Sequence, residues 1–452
     1  MRHMSRRKFL NSSLRGAGAM TLGVAAFSLA RPRRVLGANE RVNIALIGCG
    51  GRGRYLARGM VEQGAQITYF CDLHSERLRE AVAFVTPVQD RRIHRASDMR
   101  QVFDAKDVDA VIIATPDHWH APASILACQA RKDVYVEKPH SHNIWESRKM
   151  IEAARKYKRI LQVGTQCRSA PYVHAAVEYV KSGKVGDIRL VKVYNLKRGG
   201  PFHLGAPGTA PEGFDWDAWL GAAPKRPYHQ NIFVLGWHKF WDFSGGDMAD
   251  DGIHQLDLAM MLMSDPGMPK AISCSGGRLQ HKGDDAEVPD VQIVSFDFDG
   301  FVMTFELMGY PPYMRKTTGT IRRTDKFPYW TQNATRIELY GSKLMMTVGR
   351  HGGGWQVTTS GPTVVDQMYG RPPDTEHEKN FLECVKSRKR PNADIEVIHP
   401  GCTMVHMGNI AHRVGNQKLW FDSKTERFVG NEEANKLLKR KYRRKYEVPE
   451  KV

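Results

Sequence analysis

The chain has 452 residues, of which 41% are hydrophobic and 25% charged, so it is long enough for two domains with substantial cores. Its seven cysteines form no CxxC pair and show no metal-ligand spacing, which argues against a disulfide framework and a zinc-binding module. The formal net charge is +19, but eight basic residues and no acidic residue lie within residues 1–38, so residues 39–452 carry +11.

The first predicted element is an export signal. Ser5-Arg6-Arg7-Lys8-Phe9-Leu10 precedes an apolar run from Ala17 to Ala30, which is shorter than the roughly 20 residues of a transmembrane helix. This order is typical of a twin-arginine signal. We therefore predict a cleaved signal peptide over residues 1–38, passage through the twin-arginine translocase, and a periplasmic or otherwise exported location. The alternative is a buried N-terminal helix with coincidental arginines.

A dinucleotide-binding fingerprint begins at residue 48. Residues 41–47 are a short β-branched apolar run, as in a buried parallel strand. The segment Gly48-Cys49-Gly50-Gly51-Arg52-Gly53 follows and leads into a helical pattern. In a strand–turn–helix context these glycines permit the turn, the approach of a pyrophosphate, and close packing of helix on strand.

The second strand, Ala65 to Cys71, ends in Asp72, 24 residues after Gly48. A carboxylate there accepts hydrogen bonds from the ribose hydroxyls and repels a 2′-phosphate. We therefore predict NAD as the cofactor rather than NADP. Arg77 lies nearby in sequence and could offset the repulsion between Asp72 and the 2′-phosphate of NADP.

Two further buried strands complete the pattern of a parallel sheet. Residues 109–115 run into Pro116 and His120, and residues 133–136 run into Glu137-Lys138-Pro139. Alternating strands and helices predict a doubly wound sheet with its ligand site at the strand ends. The segment also contains several histidines, but no carboxylate or cysteine completes a ligand set, and we expect no metal.

From about residue 185 apolar and polar residues alternate, a period of two that is typical of half-buried β-strands. Seven strands are predicted, and short turns containing Gly or Asp join several of them, which indicates an antiparallel sheet. The fold class is therefore α/β, with an N-terminal Rossmann domain over residues 39–164 and a C-terminal α+β domain with a large open-faced sheet over residues 165–452. We expect one face of that sheet to close over the cofactor and the other to form a homo-oligomer. The basic run Lys436 to Lys445 is interpreted as a solvated surface or subunit contact, and no nucleic-acid partner is expected.

These motifs, in this order, resemble the glucose–fructose oxidoreductase/inositol dehydrogenase (Gfo/Idh/MocA) family. Glu137-Lys138-Pro139 is fairly specific to it, and Asp250, Gly252 and His254 match its D-x-G-x-H pattern. The signal places the chain with the family's exported members. The resemblance implies that the cofactor is held by Gly48, Gly50, Gly51, Arg52, Gly53, Asp72, Thr115, Pro116, His120, Glu137, Lys138 and Gln166. It implies that a sugar is held by Lys138, Arg168, Trp237, Asp250 and His254.

The residue types also suit hydride transfer from an alcohol. His254 can remove the hydroxyl proton near neutral pH. Asp250, one helical turn earlier, can orient the ring, and Lys138 can stabilise a developing alkoxide. The alternative is that Asp250 and His254 form a helix-surface pair of little energetic weight. We predict that Lys138, Asp250 and His254 are catalytic.

Aromatic residues are dense between residues 214 and 243 and alternate with polar side chains. They suit a carbohydrate site, where rings stack on sugar faces, or equally a hydrophobic cluster that holds a long loop.

The leading hypothesis is an exported NAD-dependent oxidoreductase that acts on a sugar or glycoside hydroxyl and recycles a tightly bound cofactor. The alternatives are an NAD-dependent glycoside hydrolase working through transient C3 oxidation and elimination, and a non-catalytic, cofactor-bound sugar-binding protein.

Overall fold

The computed structural model describes residues 41–361 and 363–452. The predicted signal peptide, residues 1–38, therefore lies outside the described residues. Within the described part of the chain no helix combines the length and apolar character needed to cross a membrane.

A six-stranded parallel sheet occupies the N-terminal part, in the spatial order β3-β2-β1-β4-β5-β6. Its strands are β1 Asn43–Ile47, β2 Gln66–Cys71, β3 His94–Ala96, β4 Ala110–Ile113, β5 Asp133–Val136 and β6 Leu161–Val163. The connecting helices are α1 Gly51–Glu62, α2 Ser75–Val85, α3 Met99–Asp104, α4 His120–Gln129 and α5 Ile144–Lys156. The central strands are buried on both faces because helices cover both sides of the sheet, which explains their unbroken apolar runs.

A ten-stranded sheet forms the C-terminal part, in the order β14-β13-β12-β11-β7-β10-β9-β8-β15-β16. Its strands are β7 Ile188–Leu196, β8 Ala271–Gly277, β9 Val291–Asp297, β10 Val302–Met308, β11 Arg336–Gly341, β12 Met345–Gly349, β13 Trp355–Thr358, β14 Val364–Met368, β15 Leu419–Asp422 and β16 Arg427–Phe428. The pair β7 and β10 is parallel, and the other neighbouring pairs in this sheet are antiparallel. The predicted fold class, a Rossmann sheet followed by a mainly antiparallel sheet, is therefore confirmed.

The helices of the C-terminal part are α6 Pro171–Lys181, α7 Trp216–Leu220, α8 Gln230–Val234, α9 Ile253–Leu262, α10 Gly319–Arg322, α11 Asp374–Ser387, α12 Ile395–Arg413 and α13 Glu432–Lys436. Of these, α6, α9 and α12 pack on the inner face of the second sheet, whereas α11 packs into the N-terminal core. In β9, residues 292, 294 and 296 are buried and the alternate residues are more exposed. The largest hydrophobic cluster joins these inward-facing residues to α9 and α12. The opposite face remains open, with Ile293 and Trp420 exposed on it.

Candidate active site

A cavity of about 950 Å³ lies at the carboxyl ends of β1, β2, β4 and β5. The segments that follow these strands form one wall, and residues from the C-terminal part form the other. Strand ends of an open parallel sheet are the usual ligand site because the connecting loops diverge there.

The glycine-rich turn after β1 has the geometry of a phosphate cradle. Gly48 has φ of +93°, and a Cβ on it would lie 2.6 Å from the Ala114 carbonyl. A Cβ on Gly53 would lie 2.1 Å from the Gly48 carbonyl oxygen, so α1 packs directly on the turn. Gly50 and Gly51 line the cavity, and a Cβ on either would meet nothing within 4 Å. The open space beside the first turn of α1 suits the pyrophosphate of a dinucleotide.

Asp72 lies at the end of β2 and lines the same cavity. Its carboxylate accepts hydrogen bonds from the Cys49 amide at 2.7 Å and the His74 amide at 2.8 Å. Burial nevertheless raises the pKa of the Asp72 carboxyl above its usual value. Arg77 also lines the cavity, and its guanidinium lies 4.2 Å from the centre of the Phe233 ring. Both side chains therefore lie where the adenosine end of a dinucleotide would bind.

The segments after β4 and β5 contribute the next group of predicted cofactor residues. His120 lies with one ring nitrogen 2.8 Å from the Thr115 carbonyl oxygen and the other 2.6 Å from that of Pro139, so it ties the two segments together. Thr115 lines the cavity, and its hydroxyl is buried and makes no hydrogen bond within the described residues. Glu137 accepts a hydrogen bond from Arg52 Nε at 2.8 Å, joining the strand end to the glycine turn.

Lys138 and Asp250 meet inside the cavity. Lys138 Nζ donates to Asp250 Oδ1 at 2.6 Å and to the Asp250 carbonyl oxygen at 2.5 Å. Burial lowers the pKa of Lys138, but the Asp250 and Glu137 carboxylates outweigh it, and the net pKa is raised. Burial raises the pKa of Asp250, yet Lys138 and other nearby cations hold it well below its usual range. The pair is therefore an ammonium and a carboxylate at neutral pH.

A π-helical turn, Met248–Gly252, presents Asp250 to Lys138 immediately before α9. Such turns widen a helix locally and occur often at functional sites. Gly252 lets this turn lie close to the second sheet, because a Cβ there would come within 2.6 Å of the Phe305 ring.

The two histidines near Asp250 differ in position. His238 lines the cavity, and its Nε2 lies 3.8 Å from Asp250 Oδ1. His254, the predicted base, is 6% exposed and is not part of the cavity wall. Burial lowers the pKa of both rings below the usual histidine value. From the sequence, His238 was only one of the polar residues of the aromatic segment, because its short 3₁₀ turn, Gly236–Lys239, carries no catalytic motif.

Besides His254, three more predicted site residues lie outside the cavity wall. Gly53 acts through packing, as described above. Gln166 is buried and donates to the Tyr135 hydroxyl at 3.4 Å. Arg168, predicted to bind substrate, is 4% exposed, and its guanidinium is bound by Asp257 and Asp265 at distances from 2.7 to 3.1 Å. These two carboxylates engage Nε, Nη1 and Nη2 of Arg168 in a buried ion pair, which places the side chain in the core rather than on the cavity wall.

The aromatic segment mostly packs against itself, and its buried rings form a separate hydrophobic cluster. Trp219, Phe233 and Trp237 also line the cavity. Trp237, predicted to bind a sugar, stacks on His238 with ring centroids 3.5 Å apart. The segment is therefore a packed loop that contributes a few rings to the site.

The C-terminal tail, residues 439–452, folds back onto the N-terminal part. Arg440 pairs with the buried carboxylate of Glu146 at 2.8 Å, and Val448 and Val452 join the N-terminal core. Tyr446 packs edge-on against Trp119, and residues 445–449 line the cavity. The last residue of the basic run, Lys445, thus lines the site together with the four residues that follow it, a role that the composition of the run did not indicate.

Across the described residues no cluster of His, Cys, Asp and Glu side chains has a metal-binding arrangement.

Comparisons with known proteins agree with this architecture. Residues 42–165 match the family model of an oxidoreductase family with an NAD-binding Rossmann fold, and residues 198–300 and 346–448 match the C-terminal alpha/beta domain of the same family. A levoglucosan dehydrogenase of Pseudarthrobacter phenanthrenivorans is 26% identical over 50% of this chain and 52% of its own length. A glycosyl hydrolase family 109 protein of a Shewanella species is 28% identical over 35% of this chain and 39% of its own. The chain spans little more than half the length of the first curated relatives it matches.

The fold is shared with the WlbA dehydrogenase of Bordetella pertussis in complex with NADH and UDP-GlcNAcA. The TM-score is 0.61 at 16% identity, covering 84% of this chain and 99% of the other. The two matching models together account for most of the chain, and the cavity carries the features of a dinucleotide site. The chain therefore belongs to the Gfo/Idh/MocA oxidoreductase family, and its N-terminal domain is an NAD-binding Rossmann domain.

Proposed function

We propose that this protein is an exported NAD-dependent oxidoreductase that oxidises a sugar or glycoside hydroxyl and retains its cofactor between turnovers. The observation that carries the proposal is the Lys138–Asp250 ion pair, which lies in one cavity with the glycine-rich turn. When a hydride leaves the carbon of an alcohol, its oxygen gains negative charge. A protonated lysine beside a dinucleotide-binding turn can stabilise that charge.

NAD, when bound, accepts the hydride from the sugar carbon. Lys138 is protonated, so it donates a hydrogen bond to the reacting hydroxyl oxygen and stabilises the developing alkoxide. Asp250 holds the ammonium through two hydrogen bonds and fixes its position. Because Lys138 is already protonated, a different side chain must accept the proton of the reacting hydroxyl.

His238 has the geometry for that base. Its Nδ1 lies 2.8 Å from the Leu235 carbonyl oxygen, which can only accept, so Nδ1 carries the proton in the neutral ring. Nε2 is then an unprotonated acceptor on the Asp250 side of the cavity. Because burial lowers the pKa of His238, the ring is neutral at pH 7, and we expect the rate to fall only on the acid side of the usual histidine pKa.

The two histidines can be separated by their pH profiles. We expect His238→Asn to lower the rate constant for hydride transfer about 10²-fold and to remove the acid limb of its pH profile. His254→Asn should preserve that limb. The measurement is single-turnover reduction of the bound cofactor from pH 5 to 9. If the limb instead disappears in His254→Asn, the base is His254, as the sequence alone predicted.

Asp72 is proposed to select NAD over NADP. Asp72→Ala should weaken NAD binding and narrow the preference for NAD, because it removes both an acceptor for the ribose hydroxyls and the repulsion of a 2′-phosphate. Titrating the apoprotein with each nucleotide measures this preference. Tighter binding of NADP than of NAD by the unaltered protein would contradict the proposal.

The tail supports retention of the cofactor, because residues 445–449 form part of the cavity wall. Tyr446→Ala should speed NAD release about threefold to tenfold, since an aromatic edge contact contributes about 0.5–1.5 kcal/mol beyond its buried area. Lys441→Ala, an exposed tail substitution outside the cavity wall, is the matched control. Equal release rates for the two variants would show that the tail does not restrain the cofactor.

Retention matters if the protein functions outside the cytoplasm, as the N-terminal arginine motif suggests, where free NAD is not supplied. Fractionation of cells that carry the Arg6→Lys, Arg7→Lys double variant tests the export proposal, since this variant of a twin-arginine substrate should remain in the cytoplasm.

Homo-oligomerisation through the open face of the second sheet also stays a prediction.

A second candidate is glycoside hydrolysis through transient oxidation at C3. The similarity to a glycosyl hydrolase family 109 protein favours it. Mass spectrometry of the products from a panel of glycosides separates the two candidates, because hydrolysis releases the aglycone with no net oxidation. A purely sugar-binding role fits less well, since the Lys138–Asp250 pair would have no chemical task.

A further inference from the structure

A group of basic side chains lies on the far side of Asp250 from Lys138. We call it the basic cluster and define it as Lys197, Lys316, Arg322 and Arg350. Lys197 follows β7, Arg350 follows β12, and the other two come from the segment between β10 and β11. Three chain segments distant in sequence from the cofactor turn thus bring four cations to one place.

The basic cluster adjoins the reacting pair. Lys197 Nζ lies 3.7 Å from Asp250 Oδ2, while Asp250 Oδ1 binds Lys138. The two oxygens of one carboxylate therefore face Lys138 on one side and the basic cluster on the other. None of the four side chains lines the cavity itself, so a sugar whose hydroxyl meets Lys138 reaches them through a substituent that extends past Asp250.

The cations outnumber the carboxylates that face them. Asp251 pairs with Lys316 at 2.5 Å and with Lys197 at 3.3 Å, and Lys197 also lies 3.1 Å from Asp247. These contacts involve the two lysines. Within the described residues no carboxylate lies within ion-pair distance of Arg322 or Arg350; the Arg322 Nε donates to the Thr317 carbonyl, and the Arg350 guanidinium contacts His351.

Three of the groups at this place have lowered pKa values, whereas the pKa of Lys197 is raised because Asp247, Asp251 and Asp250 outweigh its burial. Burial lowers the pKa of Lys316, and Lys197 and Arg350 lower it further despite the pairing with Asp251. Burial and then Arg350 lower the pKa of Arg322. Burial and Arg350 also hold the pKa of His351 well below its usual value. An anion placed among these groups would relieve their mutual repulsion.

The two arginines of the basic cluster, which have no carboxylate within ion-pair distance among the described residues, can also be reached from solvent. Arg322, Arg350 and Lys316 are each partly exposed, so an incoming ligand can reach them. An arginine presents a fork of donors that matches the oxygens of a carboxylate, sulfate or phosphate group.

We propose that the basic cluster binds an oxyanion substituent of the sugar, so that the substrate is an acidic sugar carrying a carboxylate, sulfate or phosphate. This inference rests on the proposed function, because it assumes that a sugar lies against Lys138. Lys316, Arg322 and Arg350 bind the anion, and Lys197 links that subsite to Asp250.

The test compares neutral and anionic probes on the purified full-length protein with its cofactor bound. Calorimetry at low ionic strength measures the affinities for glucose, glucuronate, glucose 6-sulfate and glucose 6-phosphate, and thermal unfolding with inorganic sulfate gives a readout that does not depend on sugar stereochemistry. We expect sulfate to raise the unfolding temperature more than chloride at equal ionic strength, and at least one anionic sugar to bind about tenfold more tightly than glucose. The sugar that shows this preference identifies which oxyanion is recognised.

Variants assign the effect to the basic cluster. We make Lys316→Gln and Arg350→Gln singly and together. These variants should lose the extra stabilisation by sulfate over chloride and the tighter binding of an anionic sugar over glucose. Their cofactor content and circular dichroism should stay unchanged. Lys326→Gln, an exposed substitution in the same segment as Lys316, should keep them. Equal effects of sulfate in the wild type and the double variant, or no preference of the wild type for any anion, would overturn the proposal. Anion preference without hydride transfer to the cofactor would instead contradict the proposed function and leave the subsite standing.

Discussion

Replacing Lys138 by Met is expected to lower the rate of hydride transfer about 10²-fold or more. The substitution keeps much of the side-chain volume but removes the ammonium that hydrogen-bonds to the developing alkoxide, and such contacts contribute most in a site shielded from water. It also leaves the Asp250 carboxylate without its closest cation. Single-turnover reduction of the bound cofactor by a saturating sugar measures the effect.

Lys343→Met, on the exposed turn between β11 and β12, is the matched control for loss of a lysine charge. We expect it to retain the wild-type rate. Cofactor content should stay high in both variants, because Lys138 lies beside the reacting end of the site rather than at Asp72. A wild-type rate in Lys138→Met would show that the reaction occurs elsewhere.

Replacing Arg168 by Met is expected to lower the free energy of unfolding by about 3–5 kcal/mol, a typical cost of leaving a buried charge without its partner. Asp257 is 1% exposed and depends on Arg168 for its neutralisation, whereas Asp265 is 42% exposed and can be solvated. The pair joins the turn after β6 to α9, so its loss weakens the support beneath the Asp250 turn. Urea unfolding followed by circular dichroism measures the change.

The penalty of Arg168→Met should depend on pH. Burial already raises the pKa of Asp257 with Arg168 present, so the folded variant binds a proton more readily than the unfolded chain. Its stability therefore falls as the pH rises above the unfolded carboxyl pKa of about 4. Adding Asp257→Asn should recover most of the loss. No recovery in the double variant would show that the arginine acts through packing rather than charge.

Much of the site could be predicted because its parts lie at strand ends marked by local motifs. Gly48 and Gly53 have glycine-specific roles that their spacing alone indicates, and Lys138 follows directly from a buried strand. Asp250 comes from the distant D-x-G-x-H pattern, and the structure joins it to Lys138.

The remainder depends on contacts that leave no local pattern. His238 lies in a single 3₁₀ turn without a motif, and the parallel pairing of β7 with β10 brings together strands more than 100 residues apart. The ion pairs of Arg168 could not be predicted because its partners Asp257 and Asp265 are distant in sequence, and a charged residue beside a motif resembles a ligand. The tail carries a basic run that suggests solvent exposure, yet Arg440 reaches the buried Glu146.

The central claim is that a cofactor held in this cavity is reduced and reoxidised through successive turnovers of a sugar. The most direct measurement is the nucleotide content of the purified protein, followed by its turnover of glycosides or sugar pairs with no nucleotide added. We predict about one NAD per chain, repeated turnover, and little accumulated NADH, with turnover lost in Lys138→Met. A protein that purifies empty and reduces added NAD in proportion to the sugar consumed would contradict retention and recycling, and would indicate an ordinary dehydrogenase.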